Sequence, residues 1–308
     1  MAQNNPFGAF WKAIRRRIPP WLRLSIAVAL ALMLIIFLFV LLRPGYDPLS
    51  EASMQPILNR EILRVGVRTD IERFSYEEET GVYNGLEDDI ARSLAKKIFG
   101  DDYLLQFEPV NPATRHIKLK DKQVDCVIAI SPQNFRAEYI YSVPYYTDAV
   151  AVVVHSKSKF QSFDQFEGMW IGALTYPPAN SSMYHSASSQ TLIHEGAATV
   201  LQQFIASYGY QIGIRRYSSL PDMIEALENN EISAIAIENA LLREYYSRTN
   251  MRVMPAAIGT VPYSIAIPAD NPALVEIANR MITEMRESGE LNALLDKWNL
   301  LDYREKSE

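Results

Sequence analysis

The chain is poor in residues that build covalent or catalytic centres. It contains a single cysteine, Cys126, which excludes an intramolecular disulfide and lies in an apolar segment where a thiol is ordinarily an inert core residue. Its 4 histidines are scattered without the i, i+4 spacing of a metal-binding helix. The sequence also lacks the nucleophile-elbow, phosphate-loop and dinucleotide-binding motifs. We therefore expect no cofactor and no enzymatic activity.

Acidic residues are absent from the N-terminal part of the sequence. Residues 1–43 contain six basic and no acidic residues, so they carry +6 of a total charge of -6, and the remaining residues carry -12. A body of this charge lacks the basic face that binding to a phosphate backbone requires. We expect no nucleic-acid partner.

Residues 24–42 form a charge-free run of 19 residues. A helix needs about 20 apolar residues to cross a hydrocarbon core of about 30 Å. Arginines at 15–17 and 23 lie just before the run, so the positive-inside rule places the N-terminus in the cytoplasm and exports the rest. The predicted N-terminal segments are a cytoplasmic basic segment (residues 1–22), a transmembrane helix (23–43) and a polar tether (44–60).

A cleaved signal peptide is the alternative interpretation of this run. Apolar regions of signal peptides are about 7 to 15 residues long and end in a small-residue cleavage site. Here the run ends in Leu-Leu-Arg-Pro, and no cysteine follows it that could carry a lipid. The pattern favours an uncleaved signal anchor.

Residues 124–130 form a nearly continuous apolar run of strand length, which is typical of a parallel sheet buried on both faces. The run ends at Ser131-Pro132. Because ligands of α/β sheets bind outside the carboxyl ends of the strands, Ser131 and Arg136 are candidate binding residues. Arginine presents a planar fork that matches a carboxylate. On residue type alone, Arg136 would be interpreted as a solvated loop cation.

Short motifs along the chain carry a family resemblance. V-D-x-V-I-A precedes Arg136 and S-x-P-Y-Y follows it, and L-R-V-G-V, F-S-Y, G-L-E-D-D-I and K-W-N-L occur at residues 63, 74, 85 and 297. In this order the motifs resemble type II periplasmic solute-binding proteins, the polar amino-acid receptors of ABC importers. The resemblance covers roughly residues 60–301. It implies an α/β fold of two doubly wound lobes joined by two hinge strands.

Two apolar runs, at residues 150–154 and 261–267, would be the crossings between these lobes. A Ser-rich segment with loop composition interrupts the second lobe. We interpret it either as a lid or partner contact, or as a tolerated surface loop. The predicted lobes are lobe 1 (residues 61–152 and 262–301) and lobe 2 (residues 153–261, with an insert at 175–194).

The resemblance also assigns roles to residues of the cleft. Arg136 matches the clamp for the α-carboxylate of the ligand, and Glu238 matches an aspartate that holds the ammonium group, with one methylene more. Ala198 and Thr199 belong to a small-residue ligand loop, and Ser131 stands at the end of the strand before Arg136. Glu238 is alternatively a helix N-terminal acid favoured by the helix dipole.

Two further arginines indicate the class of ligand. Arg68 and Arg115 resemble residues of the subgroup that binds glutamate or aspartate. Three arginines over one cleft would repel each other without an anionic ligand, which favours a dicarboxylic amino acid. As single residues, Arg68 and Arg115 are equally interpreted as solvated surface cations.

Together, the charge-free run and the resemblance predict a membrane-anchored receptor in the bacterial inner membrane, with its main domain in the periplasm. It would capture an amino acid and present it to an ABC permease. The alternative is the same module as an accessory or sensory subunit of a membrane complex, without a transport role. The spacing around Arg136, which is one residue shorter than in the family on either side, is compatible with that alternative. A dehydratase is the third class.

Overall fold

The structure is a computed structural model that describes residues 47–130, 132, 138–175, 196–246 and 250–300, and positions 19, 25, 28, 29 and 31–33. Two compact units are distinguished, Met1–Asp47 and Pro48–Glu308, and the elements below belong to the second. Within the described residues, no helix is long and apolar enough to cross a membrane. Most of the predicted span at 23–43 lies outside the described residues, so the transmembrane helix stays a prediction.

The strands of the described residues are short and alternate with helices. In chain order they are β1 (Leu63–Val67), β2 (Asp70–Ile71), β3 (Ser75–Glu79), β4 (Val82–Asn84), β5 (Leu105–Pro109), β6 (Cys126–Val127), β7 (Tyr139–Tyr141), β8 (Tyr146–His155), β9 (Trp170–Leu174), β10 (Gly213–Tyr217), β11 (Ala234–Glu238), β12 (Met251–Val253), β13 (Gly259–Tyr263) and β14 (Ala266–Pro268). The α-helices are α1 (Gln55–Arg60), α2 (Leu86–Phe99), α3 (Arg115–Lys120), α4 (Ala197–Tyr208), α5 (Leu220–Glu228), α6 (Asn239–Tyr246), α7 (Pro272–Ser288) and α8 (Glu290–Lys297). Short 3₁₀ turns cover Pro48–Ser50, Ala52–Met54 and Phe163–Phe166.

The first sheet has the strand order β5-β1-β6-β14-β7. β1 runs parallel to both β5 and β6, whereas β14 runs antiparallel to β6 and β7. α2 packs on β1 with Ile90, Leu94 and Ile98, which are four residues apart and all buried. This spacing places them on one face of the helix, as the sequence predicts. Gly100 ends the helix with φ 77°, the left-handed conformation that glycine adopts without strain.

The second sheet has the order β10-β9-β11-β8-β12, and β13 pairs with β8. β9, β10 and β11 are parallel, and β8 runs antiparallel to β11. The buried residues of β8, β9 and β11 are mostly Val, Ile, Leu and Ala, as expected for strands covered on both faces. β8 belongs to this sheet from Tyr146 onward, so the expected limit between residues 152 and 153 falls inside the strand. The exact lobe limits stay a prediction.

The two connections between the sheets run side by side. Ser142 N–H donates to Ile265 O (3.0 Å), Ile265 N–H donates to Ser142 Oγ (2.9 Å), and Tyr145 N–H donates to Tyr263 O (3.0 Å). Next to them, Phe74 of lobe 1 packs edge-on against Tyr146 and Tyr263, with ring centroids 5.3 and 6.0 Å apart. The paired connections therefore form a hinge with an aromatic core.

Three elements differ from the sequence-based expectation. The strand expected at 124–130 pairs as a named strand only over Cys126–Val127, because the chain turns at Ile130. The strand expected at 261–267 is divided into β13 and β14, because the chain passes there from one sheet to the other. The sequence of residues 111–120 predicts a short helix, but the helix begins only at Arg115, because Asn111 Oδ1 accepts from the N–H groups of the next turn (2.9 and 3.0 Å).

Candidate functional site

The candidate site lies at the carboxyl ends of strands from both sheets. Arg68 follows β1 directly, Arg115 is the first residue of α3, and Glu238 is the last residue of β11. Burial raises the pKa of Glu238, and the charges of Arg115 and Arg68 partly offset this rise. Three of the predicted site residues are thus close enough to interact, and they come from both lobes. α6 of lobe 2 also contacts β2 of lobe 1.

Arg68 is buried rather than solvated, with a side chain that is 11% exposed. Its guanidinium forms a two-pronged ion pair with Asp70, from Nε to Oδ1 (2.8 Å) and from Nη2 to Oδ2 (2.7 Å). Partial burial works to raise the pKa of Asp70, but the hydrogen bond and charge of Arg68 hold it below its usual value. The edge of Arg68 that would suit a ligand carboxylate is therefore engaged by the chain itself.

The backbone carbonyl of Arg68 is linked to a buried acid, Asp88, through the hydroxyl of Ser75. Ser75 Oγ lies 2.5 Å from Arg68 O and 2.8 Å from Asp88 Oδ1, and Ser75 and Asp88 are both fully buried. A hydroxyl has one proton, and a carbonyl oxygen can only accept. Ser75 therefore donates to Arg68, and Asp88 must itself donate to Ser75 as a neutral acid. In agreement, burial raises the pKa of Asp88 to about 8.

Glu87, at the start of α2, joins the end of β6 to the hinge. Its Oε1 accepts from Ile130 N–H (2.6 Å) and from the Tyr145 hydroxyl (2.5 Å). Burial raises the pKa of Glu87 to about 7 against the opposing effect of these bonds and of the charges of Arg68 and Arg115. The sequence motif at residues 85–90 includes Glu87, but it did not indicate that this residue links Ile130 to the hinge.

Ile130 has a backbone conformation that is unusual for a β-branched residue, with φ 45°. It is fixed from two sides: Glu87 accepts from its N–H, and Arg115 Nη1 donates to its carbonyl (3.1 Å) and to that of Ala129 (3.2 Å). A residue of this kind costs about 1 to 3 kcal/mol and persists where surrounding contacts determine it. Such conformations cluster at functional sites, and this one stands at the end of β6.

Glu238 binds the N-terminus of α4, the helix whose first turn contains the predicted ligand-binding residues Ala198 and Thr199. Its Oε1 accepts from Ala197 N–H (2.9 Å), the first residue of α4, whose next two residues are Ala198 and Thr199. Gly196 has φ 60°, and a Cβ atom there would overlap Glu238 Oε1. The helix-dipole alternative for Glu238 therefore applies, but to α4 rather than to the helix that Glu238 precedes.

Asp148, in β8, is a further buried acid near the site that the sequence did not reveal. Its Oδ2 accepts from Ala240 N–H (2.8 Å) and from the Tyr263 hydroxyl (3.0 Å). Burial raises its pKa to about 7, and the charge of Glu238 adds to this effect. Asp148 thereby ties α6 to the hinge strand β13.

Several predictions lie outside the described residues. These are Ser131, Arg136 and all of the insert at 175–194 except Thr175. In the described part of the chain, no group of three or more His, Cys, Asp or Glu side chains could hold a metal ion. Among the described groups of the site, the cations Arg68 and Arg115 come from lobe 1, and Glu238 comes from lobe 2.

A family model for bacterial extracellular solute-binding proteins, family 3, matches residues 63–301. The ABC transporter glutamine-binding protein GlnH of Bacillus subtilis (strain 168) is 22% identical over 250 residues, covering 80% of this chain and 84% of that protein. The L-cystine-binding protein TcyJ of Escherichia coli (strain K12) is 22% identical over 255 residues, covering 80% and 86%. A solved solute receptor for L-cysteine of Neisseria gonorrhoeae has a TM-score of 0.60 at 21% identity, covering 82% and 96%.

An enzyme also occurs among the relatives. Cyclohexadienyl dehydratase of Pseudomonas aeruginosa is 25% identical over 163 residues, covering 50% of this chain and 59% of that protein. The family match nevertheless spans both sheets of the structure and both halves of the candidate site. The two-lobed α/β fold is confirmed, and the chain belongs to family 3 of the bacterial extracellular solute-binding proteins.

Proposed function

We propose that this protein captures an amino acid between its two lobes and delivers it to an ABC importer. The observation that carries the proposal is the position of Arg68 and Arg115, from lobe 1, and of Glu238, from lobe 2, near the carboxyl ends of strands of the two sheets. Opposite charges on facing lobes suit the carboxylate and ammonium groups of one ligand. The similarity to glutamine- and L-cystine-binding proteins supports the ligand class.

Capture would exchange internal partners for those of the ligand. Arg115 is already oriented by the carbonyls of Ala129 and Ile130, so it loses little freedom when a carboxylate arrives. Glu238 would turn from Ala197 N–H toward the ammonium group. Paired connections such as those at the hinge allow two lobes to close on a ligand. Ser131, Arg136, Ala198 and Thr199 complete the proposed contacts.

For the ligand side chain we propose a carboxylate, as in glutamate or aspartate. The support is that the site contains two arginines, Arg68 and Arg115, whose charges both lower the pKa of Glu238 against the effect of burial. Asp70 occupies the Nε and Nη2 edge of Arg68, so the second carboxylate of the ligand would displace Asp70 or approach from Nη1. Glutamate and glutamine are therefore the informative pair of ligands.

The proposed setting is the bacterial inner membrane, with residues 23–43 as anchor and the main domain in the periplasm. The charge-free run and its basic flank support this topology. Anchoring confines the receptor to the membrane surface and so raises its effective concentration at a permease. Mapping of the mature N-terminus by mass spectrometry tests it, because a start after residue 42 would contradict an uncleaved anchor.

A second candidate function is that of an accessory or sensory subunit of a membrane complex. It is favoured because charged groups of the site already have partners within the chain. Arg68 donates to Asp70, and Glu238 accepts from Ala197 N–H. A cleft satisfied in this way remains stable without a ligand.

Thermal denaturation of the full-length protein against the twenty amino acids, each at 1 mM, distinguishes the two functions. At a micromolar Kd, 1 mM ligand adds about 4 kcal/mol of stability, so a receptor shows a clear rise in melting temperature. The matched control for glutamate is γ-aminobutyrate, which lacks the α-carboxylate. No shift with any amino acid, together with co-purification in a membrane assembly without an ABC ATPase, would replace transport by the accessory role.

A further inference from the structure

Lobe 2 contains a cavity at the amino ends of strands β9 and β11, whereas Glu238 lies at the carboxyl end of β11. Its volume is about 580 Å³, and it lies where β8 ends at His155 and where the chain enters β9 at Met169 and β11 at Ser233. β11 is parallel to β9 and has five residues. With a rise of about 3.3 Å per residue, the cavity is on the order of 15 Å from Glu238. It is therefore separate from the interlobe cleft.

The cavity combines an apolar floor with a basic rim. The floor consists of Phe160, Met169, Leu227 and Ile232. The rim carries Lys157 and Lys159, which are exposed and, among the described residues, form no ion pair. Asn230, Ser158 and Ser233 add polar groups, and no acidic side chain occurs among the lining residues that the structure describes. A basic rim of this kind contrasts with the net charge of -12 carried by residues 44–308.

The rim is held in place by hydrogen bonds. Arg252 Nη2 donates to the carbonyls of Phe160 (2.6 Å) and Ser158 (3.4 Å), which fixes the segment bearing both lysines and adds a further cation beside it. Lys157 N–H donates to His155 Nδ1 (3.2 Å). A neutral imidazole with Nδ1 as acceptor carries its proton on Nε2, so His155 is a hydrogen-bond donor at the rim.

We propose that this cavity binds a small organic anion, in which a carboxylate or phosphate is joined to an apolar group. The volume lies within the range of about 300 to 1,000 Å³ that is usual for small-molecule sites. Such sites combine an apolar lining with a few polar groups that fix orientation. Here the lysines and His155 attract the anionic group, and the floor removes the apolar group from water. The proposal is independent of amino-acid capture in the cleft.

Titration of the full-length protein with naphthylacetate and with its neutral amide tests this site. Methyl NMR follows the Met169 and Ile232 resonances, which report on the floor. We expect saturable shifts with the acid, and affinities at least about tenfold weaker for the amide and for inorganic phosphate, each of which lacks one half of the ligand.

Lys157→Gln/Lys159→Gln should weaken binding of the acid by about tenfold or more. Its matched control is Lys96→Gln/Lys120→Gln, which removes the same charge from exposed positions of lobe 1 and should leave the affinity unchanged. Equal binding of the acid and the amide would overturn the proposal. So would equal affinities in the two double variants, or shifts that are absent at Met169 and Ile232.

Discussion

The cleft and the cavity of lobe 2 differ in the burial and the partners of their charged side chains. In the cleft, Arg68 and Glu238 are buried and already engaged, by Asp70 and by Ala197 N–H. At the cavity, Lys157 and Lys159 are exposed and form no ion pair with described residues. A buried charge without a partner is costly, whereas water satisfies an exposed one. Binding in the cleft would therefore be an exchange of partners, and binding at the cavity would be a simple addition.

The largest expected effect of a single substitution is at Glu238. Glu238→Ala removes the acceptor of Ala197 N–H and leaves a buried helix N-terminus uncapped, so we expect a loss of about 2 kcal/mol in the free energy of unfolding. Lys157→Ala, at the exposed rim, should change it by less than about 0.5 kcal/mol. Urea denaturation measures both.

Glu238→Gln is the matched control, because its amide oxygen can still accept from Ala197 N–H. It should retain most of the stability while losing the charge that we assign to ligand binding. If Glu238→Ala were as stable as Lys157→Ala, the internal engagement of Glu238 would not contribute to the fold.

The buried acids of the cleft give the protein a pH dependence that exposed lysines do not. The pKa of Asp88 is raised to about 8, and those of Glu87 and Asp148 to about 7. Between about pH 4, where an unfolded carboxyl ionises, and these values the folded state binds more protons than the unfolded state. Stability should therefore fall as the pH rises through this range, by about 1.4 kcal/mol per pH unit for each proton.

Asp88→Asn isolates one of these protons, since an amide can donate to Ser75 without ionising. We expect the decline in unfolding free energy between pH 6 and 8 to become shallower by about one proton. An unchanged slope in this variant would contradict the neutral, donating Asp88 that the position of the Ser75 hydroxyl requires.

A smaller effect on stability than at Glu238 is expected at Asp70. Its side chain is 61% exposed, and the amide oxygen of an asparagine can still accept from Arg68, so Asp70→Asn should cost about 1 kcal/mol of unfolding free energy. It should nevertheless strengthen glutamate binding relative to glutamine, because the competitor for Arg68 is removed. Glu78→Gln, in the same hairpin, is the control for net charge. Equal changes for the two ligands would show that Arg68 does not contact the ligand side chain.

Elements with a strong local pattern could be predicted from the sequence. The sequence pattern predicts a strand at residues 170–174 and a helix at residues 197–208, and these limits are those of β9 and α4. The turn at Ile130 could not be predicted from the sequence, because its conformation depends on Glu87 and Arg115, which are distant along the chain. Apolar periodicity predicts burial but not which buried acid meets which backbone group.

The same limit applies to the candidate site. The resemblance indicated Arg68, Arg115 and Glu238, and the charges of the two arginines lower the pKa of Glu238 against the effect of burial. Asp88 and Asp148 were missed, since an acid within an apolar segment has no spacing that distinguishes a buried side chain from an exposed one. Their roles follow from partners such as Ser75 and Tyr263, which only the fold brings close.

The proposed function requires that charged groups of both lobes hold one amino acid. Calorimetric titration of the amino acid with the largest thermal shift into the full-length protein, Arg115→Gln and Glu238→Gln measures the contribution of each lobe. We predict that each variant, altered on a different lobe, weakens binding by about tenfold or more, whereas Lys157→Gln/Lys159→Gln does not. Unchanged affinity in either single variant would contradict a ligand bound between the lobes.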